Sequence, residues 1–212
     1  MIGRDDPLWP GQLAMLCGLL LYFALPSKLT IGPDWLVPVA EALVFVALVV
    51  AAFLRGAEVK VGREVVLFLL AVGTLANLVS LGLLTHYLVI GGHARGLNLI
   101  NGGVIIWSTN FLLFTVWFWV LDRGGPPQPG LAPSPGRPDF LFPQMSDKEF
   151  APPGWKPGFV DYLYVSLTNQ SAFSPTDTMP LTWRVKLLMG VQGTAALVTV
   201  GVIVARAVNV IA

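Results

Sequence analysis

The sequence predicts an all-α integral membrane protein with five transmembrane helices and a re-entrant half-helix and loop before the last helix. Three observations carry this. The 212 residues are 55% hydrophobic and 12% charged, with mean hydropathy +0.71, far more apolar than a soluble domain of that size. Five apolar runs, 8–26, 35–54, 65–90, 103–121 and 185–211, approach the roughly 20 residues a helix needs to cross a bilayer. A sixth run, beginning at Phe159, is only half as long and turns polar at Thr168.

The first run follows MIGRDDPLW, which holds one arginine, two acids and no small-residue cleavage pattern. It therefore reads as a retained helix or signal anchor and not as a removed leader. Cys17 lies inside it as the single cysteine, so no disulfide framework or zinc cluster is expected.

The second run carries Glu41, the one acid well inside an apolar stretch. An intramembrane carboxylate is costly and marks either function or an interfacial side chain, here one held near Trp35. Asn77 and Ser80 in the third run, and Ser108, Thr109 and Asn110 in the fourth, are candidates for hydrogen-bond glue between helices. His86 and His93 straddle the end of the third run. Seven residues apart, they lack the further ligands a metal site needs.

Between Asp122 and Gly158 lie ten of the 17 prolines, which favours extended segments over helix. Phe140, Leu141, Phe142, Phe150 and Trp155 punctuate this arm, and a purely disordered linker would lack such apolar teeth. The arm lies either along a protein surface or loosely at the membrane. Three regions follow: a four-helix scaffold over 1–121, the Pro-rich arm over 122–158, and the half-helix, loop and last helix over 159–212.

In the last region GFVDYLYVSLT leads into Asn169-Gln170-Ser171-Ala172-Phe173-Ser174, then Asp177, Pro180-Leu181-Thr182 and the final apolar run. Polar backbone at membrane depth is tolerated only where protein or a water-filled cavity covers it, so this stretch reads as re-entrant. The order resembles the pore region of potassium channels. That resemblance aligns Thr168 with the first filter threonine, Phe173 with the filter tyrosine, Asp177 with the aspartate after it, and Pro180 with the proline before the inner helix. The filter glycines are missing, and without them successive carbonyls cannot turn toward an ion. The resemblance thus implies a pore loop without potassium selectivity, lined by Thr168, Asn169, Gln170, Ser171, Phe173, Ser174 and Asp177. The hairpin is also similar to that of an uncharacterised family of bacterial five-helix membrane proteins, which implies no activity.

The alternative from the residues alone is a structural plug, since Ser174-Pro175-Thr176-Asp177 is a turn sequence and Thr182 suits a helix cap. The last helix has small residues at Gly190, Thr194, Gly201 and Ala205, spacings that permit close helix contact. In the channel resemblance Gly193 or Gly201 matches the inner-helix hinge. Arg206 sits near the end of that helix, placed to snorkel or to pair with a carboxylate. The tryptophans 9, 35, 107, 117, 119 and 183 lie mostly near run ends, as in an aromatic belt.

Counting basic residues near run ends orients the chain. With the N-terminus inside, Arg4, Arg55, Lys60, Arg63, Arg123, Arg184 and Lys186 face the cytoplasm, against Lys28, Arg95 and Arg206 outside. The expectation is a multi-pass protein of a bacterial inner membrane with a cytoplasmic N-terminus, arm and loop. Potassium channels place the loop on the other side; ionotropic glutamate receptors place it inside. A net charge of +1 without a basic run gives nucleic acid no electrostatic footprint. The sequence contains no HExxH, GxSxG, phosphate-binding loop or dinucleotide-binding glycine pattern, so neither an enzyme nor a cofactor is expected. The expected partners are the lipid bilayer and further copies of the chain, most simply a tetramer, or subunits of a larger membrane complex.

Overall fold

In a computed structural model the described residues are 9–30, 63–90, 96–122, 137–147, 149, 151, 153–171 and 177–211. They are mostly helical. In chain order they form α1 (Trp9–Phe23), a 3-10 turn (Ser27–Leu29), α2 (Arg63–Ile90), α3 (Gly96–Leu121), β1 (Phe140–Leu141), α4 (Pro143–Ser146), α5 (Phe159–Ser171), β2 (Met179–Pro180) and α6 (Trp183–Ile211). Among the described residues, three stretches are long and apolar enough to cross a membrane: Val66–Ile90, Asn98–Leu121 and Trp183–Val208.

The first expected span is shorter than its apolar run. Helix α1 stops at Phe23 after 15 residues, because a residue preceding proline is steered away from helical backbone and Pro26 begins the next turn. There the Leu29 N–H donates to the Pro26 carbonyl at 2.8 Å, and Leu29 is fully buried. Helix α3 begins at Gly96, seven residues ahead of the expected start. The extra turns include Gly102, where an added Cβ would collide with Leu29, so glycine admits the Leu29 side chain to the helix backbone. The run 35–54, with Glu41, lies outside the described residues.

Helix α3 is the centre of the bundle: 56% of its apolar window is buried, against 28% for α2 and for α6. It packs against α1, α2, α5 and α6, and all four run antiparallel to it. Its C-terminal end meets Gly11 of α1 through Trp119, Thr74 of α2 through a 2.9 Å bond from Trp117 Nε1, and Phe159 of α5 through an edge-on contact with Trp119. Its N-terminal part meets Leu84 of α2 and Ile203 of α6 at Gly103, where an added Cβ would lie 2.5 Å from Ile203 Cγ1. One apolar cluster fills each end of the bundle.

The arm contributes to the core at the C-terminal end of α3. Phe140 and Phe142 are buried and join Phe118, Tyr162 and Trp155 in a chain of mostly edge-on and tilted ring contacts. Such pairs add about 0.5–1.5 kcal/mol each to the burial of apolar area. β1 pairs antiparallel with β2, Phe140 opposite Pro180 and Leu141 opposite Met179. Phe150 lies outside the described residues.

Candidate functional site

Helix α5 has two faces set by its sequence. Phe159, Tyr162, Val165, Ser166, Asn169 and Gln170 are buried, while Val160, Tyr164, Leu167 and Ser171 form an exposed stripe at helical spacing. Its start is fixed by Asp161, whose carboxylate accepts the Gly158 N–H at 2.7 Å. The buried face climbs α3 in register. Tyr162 donates to Asp122 Oδ2 at 2.7 Å, Ser166 to the Phe111 carbonyl at 2.8 Å, and Gln170 to the Trp107 carbonyl at 2.8 Å. The steps of four residues on α5 match one helical turn each.

At the far end of α5 the side chains of Asn110, Ser166, Asn169, Gln170 and Gln192 form a buried uncharged network joining α3, α5 and α6. Asn110 Nδ2 donates to Gln170 Oε1 at 2.9 Å and to the Gln192 carbonyl at 3.3 Å. Asn169 Nδ2 donates to Gln192 Oε1 at 2.8 Å and to the Met189 carbonyl at 3.0 Å. Gln192 Nε2 faces Ser166 Oγ at 2.7 Å, the Ser166 carbonyl at 3.1 Å and Gln170 Oε1 at 3.3 Å. Asn169 is 5% exposed and the other four less, so any amide left without its partner would bear a desolvation cost of about 1–3 kcal/mol. That asymmetry fixes the relative height of the three helices.

Of the residues expected to line a loop, Thr168 lies within α5 and its hydroxyl donates back to the Tyr164 and Val165 carbonyls. Asn169 and Gln170 point into the bundle. Ser171 is exposed at the helix end, bonded to the Leu167 carbonyl at 2.7 Å, and Asp177 is exposed. Phe173 and Ser174 lie outside the described residues. The structure therefore brings Asn169 and Gln170 together with Asn110, and keeps Ser171 and Asp177 apart from them.

Among the other singled-out residues, Asn77 and Ser80 on α2 and Thr109 on α3 are buried, and the hydroxyls of Ser80 and Thr109 have no hydrogen-bond partner among the described residues. Ser108 is half-buried. His86 packs edge-on to Tyr87, and His93 lies outside the described residues. No group of three His, Cys, Asp or Glu that could hold a metal ion occurs among the described residues. Arg206 is half-buried on α6. Trp9 and Trp183 are exposed, whereas Trp119 is buried and Trp117 is tied to Thr74; these last two serve the core and not a belt.

Two residues escaped the sequence reading. Gln192 stands in the middle of an apolar run, the same signal that drew attention to Asn110. Asp122 reads as the start of the arm, yet it is 2% exposed and accepts the Asp139 N–H at 2.6 Å, the Phe140 N–H at 3.4 Å and the Tyr162 hydroxyl. From Asp139 the chain of contacts continues: its carbonyl accepts the Leu181 N–H at 2.8 Å, and its Oδ1 accepts the Thr182 hydroxyl at 2.5 Å. Both constellations position backbone and order dipoles. Compared with family models, curated proteins and solved structures, the chain matches none.

Proposed function

We propose that the chain is a pore-loop membrane protein of ion-channel type, without a potassium-selective filter, with five spans and a homo-oligomeric assembly around α6. The observation that carries this reading is the path of the chain after the arm. Helix α5 leaves the Asp122 end of α3, runs about 20 Å along it and finishes beside Trp107 and Gln192. By Met179 the chain is again paired with Leu141 at the Asp122 end. A half-length helix whose chain is back at its starting end by Met179 supports the reading of a re-entrant hairpin.

In this reading Asn169 and Gln170 anchor the hairpin from behind, through α3 and α6. Ser171 and Asp177, both exposed, are left to meet a hydrated passage, with Phe173 and Ser174 between them in sequence. In a homo-oligomer the exposed Val160, Tyr164 and Leu167 of α5 would face neighbouring copies. A ring of identical Asp177 carboxylates focuses cations. Protein reconstituted in liposomes should therefore pass small cations under an applied potential, and Asp177→Asn should shift the preference toward anions.

The closed amide network favours a second reading, a non-catalytic structural or accessory subunit of a larger membrane complex with α5 as a plug. Asn169 and Gln170 make amide contacts inside one chain, as packing elements do. Liposomes tight to every small ion at either sign of potential decide for this reading. So does a purified particle holding one copy among other subunits in place of a ring.

A further inference from the structure

We infer that Asp139 and Thr182 are positioning residues for Asp177, through which the Pro-rich arm sets the location of the acid that the channel reading places at the passage. This rests on that reading. Asp177 is exposed, and the next residue, Thr178, is buried. Directly after it Met179 and Pro180 pair with Leu141 and Phe140 of the arm. Leu181 and Thr182 then make two bonds to Asp139, one to its carbonyl and one to its carboxylate. The Asp139 N–H is held in turn by buried Asp122 at the end of α3. Phe140, fully buried, locks the same strand among Phe118, Phe142 and Tyr162.

β2 and the two residues after it are bonded to arm residues 139–141, and through Asp139 to Asp122 of α3. Asp177 lies two residues from that strand, and so its carboxylate takes its place from a clip made by a different part of the chain. Loosening the clip should leave the helices packed while Asp177 wanders, which would spread the negative charge and weaken the focusing of cations.

The test uses full-length protein with Cys17→Ala and Asp177→Cys carrying a nitroxide, reconstituted in phosphatidylcholine liposomes. Thr182→Val, which removes the hydroxyl at nearly constant shape, should raise the mobile fraction of the spectrum about twofold, while Thr182→Ser restores the parent line shape. Asp139→Ala and Asp139→Asn form a second pair with the same expected contrast, should Thr182→Val fail to assemble. In chains retaining Asp177, Thr182→Val should reduce the cation-to-anion permeability ratio by about half, and Thr182→Ser should not. Identical line shapes for the valine and serine chains, and for the alanine and asparagine chains, overturn the inference. If no chain conducts, the channel reading falls by itself and the role of Asp177 in a passage falls with it. The line shapes still decide whether the clip positions residue 177.

Discussion

Asn169 of α5 and Gln192 of α6 share a 2.8 Å hydrogen bond between side-chain amides, both buried at the same level of the bundle. Because Gln192 also donates toward Ser166 and Gln170, one side chain of α6 holds the last two turns of α5. Sliding α6 by a turn would replace Gln192 with Leu188 or Ala196, neither of which can bond an amide.

Gln192→Leu should therefore cost about 2–4 kcal/mol, since it leaves Asn169 and Ser166 with fewer partners in a buried site. Thermal unfolding of the reconstituted chain reads the loss. Gln192→Leu combined with Asn169→Leu should cost less than the two single changes added, with a coupling of about 1–2 kcal/mol. Strict additivity would mean that the two amides do not depend on each other.

Phe140→Ala removes a ring with no exposed surface from the cluster joining the arm to α3 and α5, at an expected cost of about 3–5 kcal/mol. Limited proteolysis checks the local consequence. In the parent particle the bond after Lys148 should resist trypsin. In the variant it should be cut early, before any site in α2 or α6.

Gly103→Ala places a methyl group where Ile203 already sits, and overpacking of this kind costs about 1–3 kcal/mol. Ile203→Ala in the same chain should recover part of the loss. Gly82→Ala is the control: an added Cβ there meets nothing within 4 Å, so stability should not fall. Equal effects at the two glycines would show that close approach of α3 and α6 is not what Gly103 provides.

The seven-to-three distribution of basic residues predicts which side of the membrane the arm occupies. With Cys17 removed, a cysteine at Ser134 should stay shielded from an impermeant thiol reagent applied to intact cells, and react once the cells are opened. Prompt external labelling would place the arm and the N-terminus of α5 outside, the orientation of potassium channels.

Much of this architecture is written in local chemistry. Apolar runs mark α2, α3 and α6 as long enough to cross a membrane, and the apolar residues from Phe159 to Leu167 mark the start of α5, whereas Asn169 to Ser171, expected in a loop, continue that helix. Prolines exclude regular helix over most of the arm, and its aromatic residues foretell docking without naming a site. These features depend on neighbours within a few residues, where hydrophobic spacing and backbone stereochemistry act.

The sequence by itself thus determined a mostly helical chain with helices long and apolar enough to cross a membrane and a half-length helix before the last of them. Tertiary structure alone decided that Gln170 meets Asn110 across 60 residues and that Asn110 reaches the Gln192 carbonyl across 82. It also decided that Asp122, at the end of one helix, anchors Asp139 in the arm. The physical reason is register. An amide in an apolar run needs a buried partner, but which partner it finds is fixed by how far antiparallel helices slide before their ridges and glycine gaps interlock. Gly102 admitting Leu29 and Gly103 admitting Ile203 set that height, and no spacing along the chain encodes it.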